Sequence, residues 1–123
     1  MITGKIENGL YPRIALEITG TKASATLTAL VDTGFDWDVG LHYDFADQLG
    51  LEIYDFAQFD YADGRSDDDL LCHAKVKWHG QWQEIDIALS ADDEPALGTR
   101  LLQGCIMSMD FIQNILTIDK PAQ

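Results

Sequence analysis

The residues best suited to chemistry are Asp32, Thr33 and Gly34, which follow directly on the apolar run Ala29-Leu30-Val31. A carboxylate at the end of such a run is costly to bury unless it has partners or a task. The neighbouring hydroxyl can hydrogen-bond, and the glycine lets a ligand or another chain approach closely. Asp32 is therefore a candidate general acid or base. As a bare tripeptide, Asp-Thr-Gly also reads as a strand ending in an Asx-type turn. The other polar clusters point to weaker chemistry. Asp67-Asp68-Asp69 lacks the ligand spacing of a calcium loop, and no glycine turn or closing Glu follows Asp32, Asp36 and Asp38. Strand alternation sets Cys72 opposite His73 and His79, which argues against a zinc site or a thiol–imidazole pair made from them. Ser108 has no nucleophile-elbow glycines around it. No metal and no cofactor is expected. Trp37, Trp78 and Trp82 are expected in the core or along a cleft wall.

The elements that must hold Asp32 in place are mostly strands. Leu10, Pro12, Ile14, Leu16 and Ile18 alternate with more polar residues, Thr19–Lys22 makes a turn, and Ala23 to Val31 alternate again. This predicts a hairpin whose second strand delivers Asp32 at its end. Residues 43–49 are predicted to form a short helix, with His42 flanking or capping its start and Gly50 closing it. Segment 54–71 is polar with a turn at Ala62-Asp63-Gly64-Arg65. Cys72, Ala74, Val76 and Trp78 then alternate with His73, Lys75, Lys77 and His79, and Ile85, Ile87 and Leu89 continue an inner face after a turn at His79-Gly80. A short helix is expected over 99–103, ending at Gly104, followed by two more alternating stretches. Many short strands with one or two short helices predict a mostly β domain built from a closed or rolled sheet.

The chain of 123 residues suits one domain spanning 1–123, with its core over about 10–118. The 46% apolar content fits a folded protein. A net charge of −13 argues against nucleic acid and against anionic membranes as partners, since both need a basic surface. The N-terminus lacks the basic start and apolar stretch of a signal peptide, and no run is long enough to span a membrane. A cytoplasmic location is expected, with Cys72 and Cys105 as reduced, buried thiols.

Three segments together resemble the retroviral-type, or retropepsin-like, aspartic proteases and their bacterial single-domain relatives. Leu30-Val31-Asp32-Thr33-Gly34-Phe35 is similar to the family's catalytic loop. Tyr61-Ala62-Asp63-Gly64 is similar to the tip of the flap hairpin. Ala96-Leu97-Gly98, followed by Leu101-Leu102, is similar to the apolar-apolar-Gly segment and its short helix. The likeness runs on through Met107–Phe111, where the family places an interface strand. Two positions depart from the pattern. Trp37 stands where a small residue is common, and Arg100 comes one position later than the family's arginine, which leaves the usual bracing of Asp36 open.

The resemblance implies a one-lobed acid-protease fold and an aspartic endopeptidase acting on polypeptide substrates. Asp32, Thr33 and Gly34 would be its catalytic residues, and Asp36, Ala62, Asp63, Gly64 and Ala96 would contact substrate. Such a site needs two carboxylates sharing one proton, one ionised to activate water and one protonated to polarise the scissile carbonyl. The chain has one Asp-Thr-Gly and no Asp-Ser-Gly, and Ala62-Asp63-Gly64 has no apolar run leading into it. The second carboxylate is therefore expected from a second copy in a homodimer. A catalytically silent dimerisation or peptide-binding module on the same fold is the other reading.

Overall fold

Alternation of apolar and polar residues sets most of the structure, a computed structural model that describes residues 1–60 and 66–122, with side chains described outside 57–60 and 66–69. In order, the elements are β1 (Ile2–Glu7), β2 (Tyr11–Thr19), β3 (Ser24–Val31), β4 (Val39–His42), α1 (Tyr43–Leu49), β5 (Ile53–Asp60), β6 (Ser66–Trp78), β7 (Gln81–Ser90), β8 (Ala96–Leu97), α2 (Thr99–Leu102), β9 (Ile106–Asp110) and β10 (Ile115–Asp119). The strands form one sheet in the order β5-β6-β7-β4-β8-β3-β2-β1-β10-β9. A further pairing, Ile18 with Val76 and Thr19 with Lys75, joins β2 to β6 and rolls the sheet back on itself. The result is the expected mostly β architecture with two short helices.

The period-2 faces meet inside the roll. Ile14, Leu16 and Ile18 of β2, Leu27, Ala29 and Val31 of β3, Cys72, Ala74, Val76 and Trp78 of β6, and Ile85, Ile87 and Leu89 of β7 share one buried cluster. Their alternate neighbours Glu17, Thr28, Lys75 and Glu84 face water. Each fully buried aliphatic side chain contributes about 1.5–3 kcal/mol relative to exposure.

The helix α1 begins where the His42 Nδ1 accepts the Asp44 N–H at 3.0 Å. It ends at Gly50, whose φ of 78° and ψ of 33° are left-handed. Glycine occupies that conformation at little cost, and its N–H closes onto the last turn. Both caps are the ones the sequence indicates.

The edges depart from the sequence reading. The first strand, β1, lies outside the expected core yet pairs with both β10 and β2. The C-terminal β9–β10 hairpin therefore docks onto the chain's own N-terminal strand, and β9 forms the outer edge. Cys72 is fully buried as expected, and burial pushes its thiol up. Cys105 is only partly buried, with Sγ 3.9 Å from His79 Nε2. No helix among the described residues is long and apolar enough to cross a membrane.

Candidate active site

Asp32 is set where three strands converge. The short strand β8 lies between β3 and β4, parallel to the first and antiparallel to the second. Leu30 and Val31 pair with Ala96 and Leu97, which in turn pair with Gly40 and Val39. The Asp32 N–H extends this ladder by donating to the Leu97 carbonyl at 2.9 Å. Beyond it the chain must leave β3, pass over the end of β8 and return as β4.

Local hydrogen bonds shape that crossing. The Gly34 N–H donates to Asp32 Oδ1 at 2.9 Å, and the Phe35 N–H to the Asp32 carbonyl at 3.1 Å. Both are turn bonds that fold the loop around the carboxylate. Its far side is held by α2 and the residue before it. The Gly98 N–H donates to the Asp38 carbonyl at 3.0 Å, and both the N–H and hydroxyl of Thr99 donate to the Phe35 carbonyl. Gly98 is required here by space: an added Cβ would stand 2.0 Å from the Trp37 carbonyl oxygen. The ring of Phe35 lies against Gly40.

The side chains then sort by exposure. Asp32, Thr33, Gly34 and Asp36 are exposed, while Asp38 is only 8% exposed. The Asp38 carboxylate accepts the Asp86 N–H at 3.0 Å. Desolvation pushes its pKa above the ordinary carboxylate value, against the opposing pull of that hydrogen bond and of Arg100. Asp38 thus belongs to the support of the loop, while Asp32 stands exposed.

A hollow of about 190 Å³ opens beside Asp32. Phe35, Leu89 and Ala96 supply an apolar wall, and Ser90, Asp92 and Glu94 supply polar groups. The loop following β7 is ordered by the Asp92 N–H on the Ser90 Oγ and the Glu94 N–H on Asp92 Oδ1. Glu94 is also ion-paired with Arg13, which Glu7 meets from another direction at 3.4 Å. Of the residues singled out in the sequence, Asp32 and Ala96 line this hollow, Thr33 and Gly34 adjoin it in the chain, and Asp36 sits exposed further along the loop. Ala62, Asp63 and Gly64 lie outside the described residues; the strands that flank them pair in register to Asp60 opposite Ser66. Ser90, Asp92 and Glu94 escaped the sequence reading because nothing in their spacing points at Asp32.

Arg100 takes a different partner from the one the resemblance suggests. Its guanidinium lies over the Trp37 ring, 4.3 Å from the centroid, and 3.5 Å from Asp86 Oδ2. The unusual Trp37 and the late arginine are therefore one arrangement.

This fold is retropepsin-like. A retropepsin-like aspartic protease from Rickettsia conorii superposes with a TM-score of 0.68 at 17% identity, over 99% of this chain and 92% of that one. EIAV protease, in complex with an inhibitor, gives 0.61 at 19% identity over 79% and 89%. The retroviral protease-like domain of Ddi1 from Leishmania major gives 0.50 at 18% identity over 89% and 90%. No protein-family model matches the sequence, and no curated protein matches it.

Proposed function

We propose that the chain, as a single domain over 1–123, is one subunit of a homodimeric aspartic endopeptidase, with Asp32 as the carboxylate each subunit brings to a shared site. One observation carries the reading: on a retropepsin-like fold, the chain's one Asp-Thr-Gly stands exposed at the end of β3 beside an open hollow. Two such loops facing each other across a two-fold axis would bring the carboxylates together. Like charges at that range do not both ionise, so the pair holds one proton. The ionised Asp32 takes a proton from water as the oxygen attacks the scissile carbonyl carbon. The protonated one gives its proton to the carbonyl oxygen. The tetrahedral intermediate collapses as a proton passes to the amide nitrogen and the C–N bond breaks. No cofactor or metal is needed for this sequence of steps.

The surrounding parts have matching roles in this reading. The β5–β6 pair is the flap that closes over an extended polypeptide and excludes water, and Ala62, Asp63 and Gly64 are its substrate-contacting residues. Ala96 and Asp36 border the substrate, and Thr33 and Gly34 fix the loop. The outer edge of β9, whose first residue Ile106 is 60% exposed, is the surface for the second subunit. The strongly negative surface makes nucleic acid and anionic membranes unsuitable partners, and the reading assigns a cytoplasmic location.

A catalytically silent module is the second reading, and the rerouted Arg100 favours it, because Asp36 lacks that brace. A peptide-library digest between pH 3 and 7, run with wild type and Asp32→Asn, separates the two. Cleavage that Asp32→Asn abolishes, with the fold and dimer intact, supports the peptidase. A stable dimer without Asp32-dependent cleavage supports the silent module.

A further inference from the structure

Asp86 of β7 stands opposite His73 of β6. Its carboxylate meets side chains from three other elements. Oδ1 accepts the Tyr54 hydroxyl at 2.5 Å and lies 3.5 Å from His73 Nδ1. Oδ2 faces Arg100 of α2 at 3.5 Å. Tyr54 reaches this position because the register of β5 on β6 slips between Ile53 and Asp55, leaving Tyr54 as the extra residue. A bulge of this kind re-aims a side chain. The Tyr54 ring lands on His73, with centroids 3.7 Å apart and planes within 8°. Meanwhile Arg100 covers Trp37, and the backbone N–H of Asp86 holds the carboxylate of Asp38.

Each contact points the same way. The hydrogen bond to Asp86 is the largest cause that pushes Tyr54 up to about 12, so the hydroxyl stays a donor across the working pH range. A phenol donating to a carboxylate is one of the stronger kinds of hydrogen bond. Tyr54 and Arg100 are both exposed, so these links hold little of the buried core. They connect β5 and α2 to β7, with which neither of them pairs in the sheet.

We propose that Asp86 is a positioning residue: its carboxylate couples the base of the β5–β6 hairpin, through Tyr54, to Arg100 and the loop that presents Asp32. What the coupling accomplishes rests on the peptidase reading; the coupling itself is a property of the fold. In the enzyme it anchors the seating of the hairpin on the frame of the Asp32 loop, whose own geometry is held separately by the Gly98 and Thr99 backbone bonds.

Two variants isolate the link. Asp86→Ala removes the carboxylate but keeps the backbone N–H that holds Asp38. Tyr54→Phe removes one hydroxyl and keeps the stacked ring. Amide exchange is measured at residues 53–56 and 70–73, and at 14–30 as reference. In both variants the hairpin-base amides should exchange about tenfold faster, the loss of roughly one strong hydrogen bond, with the reference amides unchanged. The double variant should go no faster than Asp86→Ala alone. In peptide hydrolysis KM should rise and kcat hold within about twofold, as expected when substrate capture is lost and chemistry is not. Unchanged hairpin-base exchange, an equal rise throughout the chain, or additive effects in the double variant would overturn the coupling. Exchange needs no substrate, so the two readings fail separately. A wild-type chain that cleaves nothing, with variants that show the predicted exchange, refutes the peptidase and leaves the coupling standing. Hydrolysis that is identical in all variants, with exchange unchanged, does the reverse.

Discussion

Replacing Gly98 with alanine tests whether the Asp32 loop is locked against the chain behind it. The added Cβ would stand 2.0 Å from the Trp37 carbonyl oxygen and 2.6 Å from that of Phe35. Both are backbone atoms, so no side chain can swing away. Ordinary contact begins at 3.4 Å, and relief therefore needs a separation of about 1.4 Å, the difference between 3.4 and 2.0. The φ of Gly98 is −102°, which any residue adopts, so the effect is steric alone. A shift of that size breaks the Gly98–Asp38 and Thr99–Phe35 backbone bonds, at about 1 kcal/mol each. Overpacking adds about 1–3 kcal/mol. The total of roughly 3–5 kcal/mol is a large share of the ~5–15 kcal/mol that holds a typical domain. Urea unfolding should show it as a lower midpoint at unchanged slope. Whatever remains folded should lose on the order of 100-fold in hydrolysis, since an ångström of misplacement has that effect on a reacting group. Gly80→Ala is the control: its φ is 80° with nothing within 4 Å, so it should cost only about 1–2 kcal/mol of backbone strain and spare activity. A Gly98→Ala protein within 1 kcal/mol of wild type and fully active would refute the claim that this contact fixes the loop.

Thr33→Ala should weaken the proposed dimer by about 1 kcal/mol per subunit without moving the urea midpoint of the monomer, because Thr33 is exposed in the single chain; an unchanged constant in sedimentation counts against a role at the two-fold axis. Asp38→Asn should flatten the pH dependence of stability. The folded pKa of Asp38 is raised, so its contribution is fully present below the ordinary 3.8 and is lost as pH climbs through the higher folded value. Asparagine can still accept the Asp86 N–H and carries no buried charge, so a steeper profile for the variant in that window would contradict the assignment. The chain carries −13, and the proposed dimer, at twice that, −26, should tighten with added sodium chloride and with falling pH. A dimer constant indifferent to both would mean that the charge lies away from the interface.

Much of the framework was legible because it obeys local rules. The β2–β3 hairpin, the inner faces of β6 and β7, and α1 with His42 and Gly50 at its ends all follow from alternation and capping. The short elements were not. Val39, Gly40 and Leu41 of β4 are all buried, so they show no period, and β8 is two residues long. Their identity as strands depends on pairing partners far away in sequence. In β1, Gly4 takes the position where an inward side chain would declare a strand, because a Cβ there would meet the Arg13 carbonyl oxygen at 2.3 Å. For the site, Asp32-Thr33-Gly34 was visible as a motif and its late arginine as a departure. The partner that arginine finds, Asp86, depends on where α2 sets it, Tyr54 reaches the same carboxylate through a bulge, and no spacing rule encodes either. The partial exposure of Cys105 likewise follows from the edge on which β9 lies.

The threading of β8 between β3 and β4 also governs the order of folding. Leu30 meets Ala96 only after the chain between them has been made and drawn together. Closing a loop of that length costs entropy before any contact rewards it, and parallel pairing of distant strands is slow for this reason. The β2–β3 hairpin can form early, but the residue that follows it, Asp32, has no carbonyl to hold its N–H until Leu97 arrives. A nascent chain that has not yet released Leu97 from the ribosome carries the Asp-Thr-Gly sequence on an unsupported loop. Timing built into the topology thus delays the assembly of this loop until β8 has been synthesised.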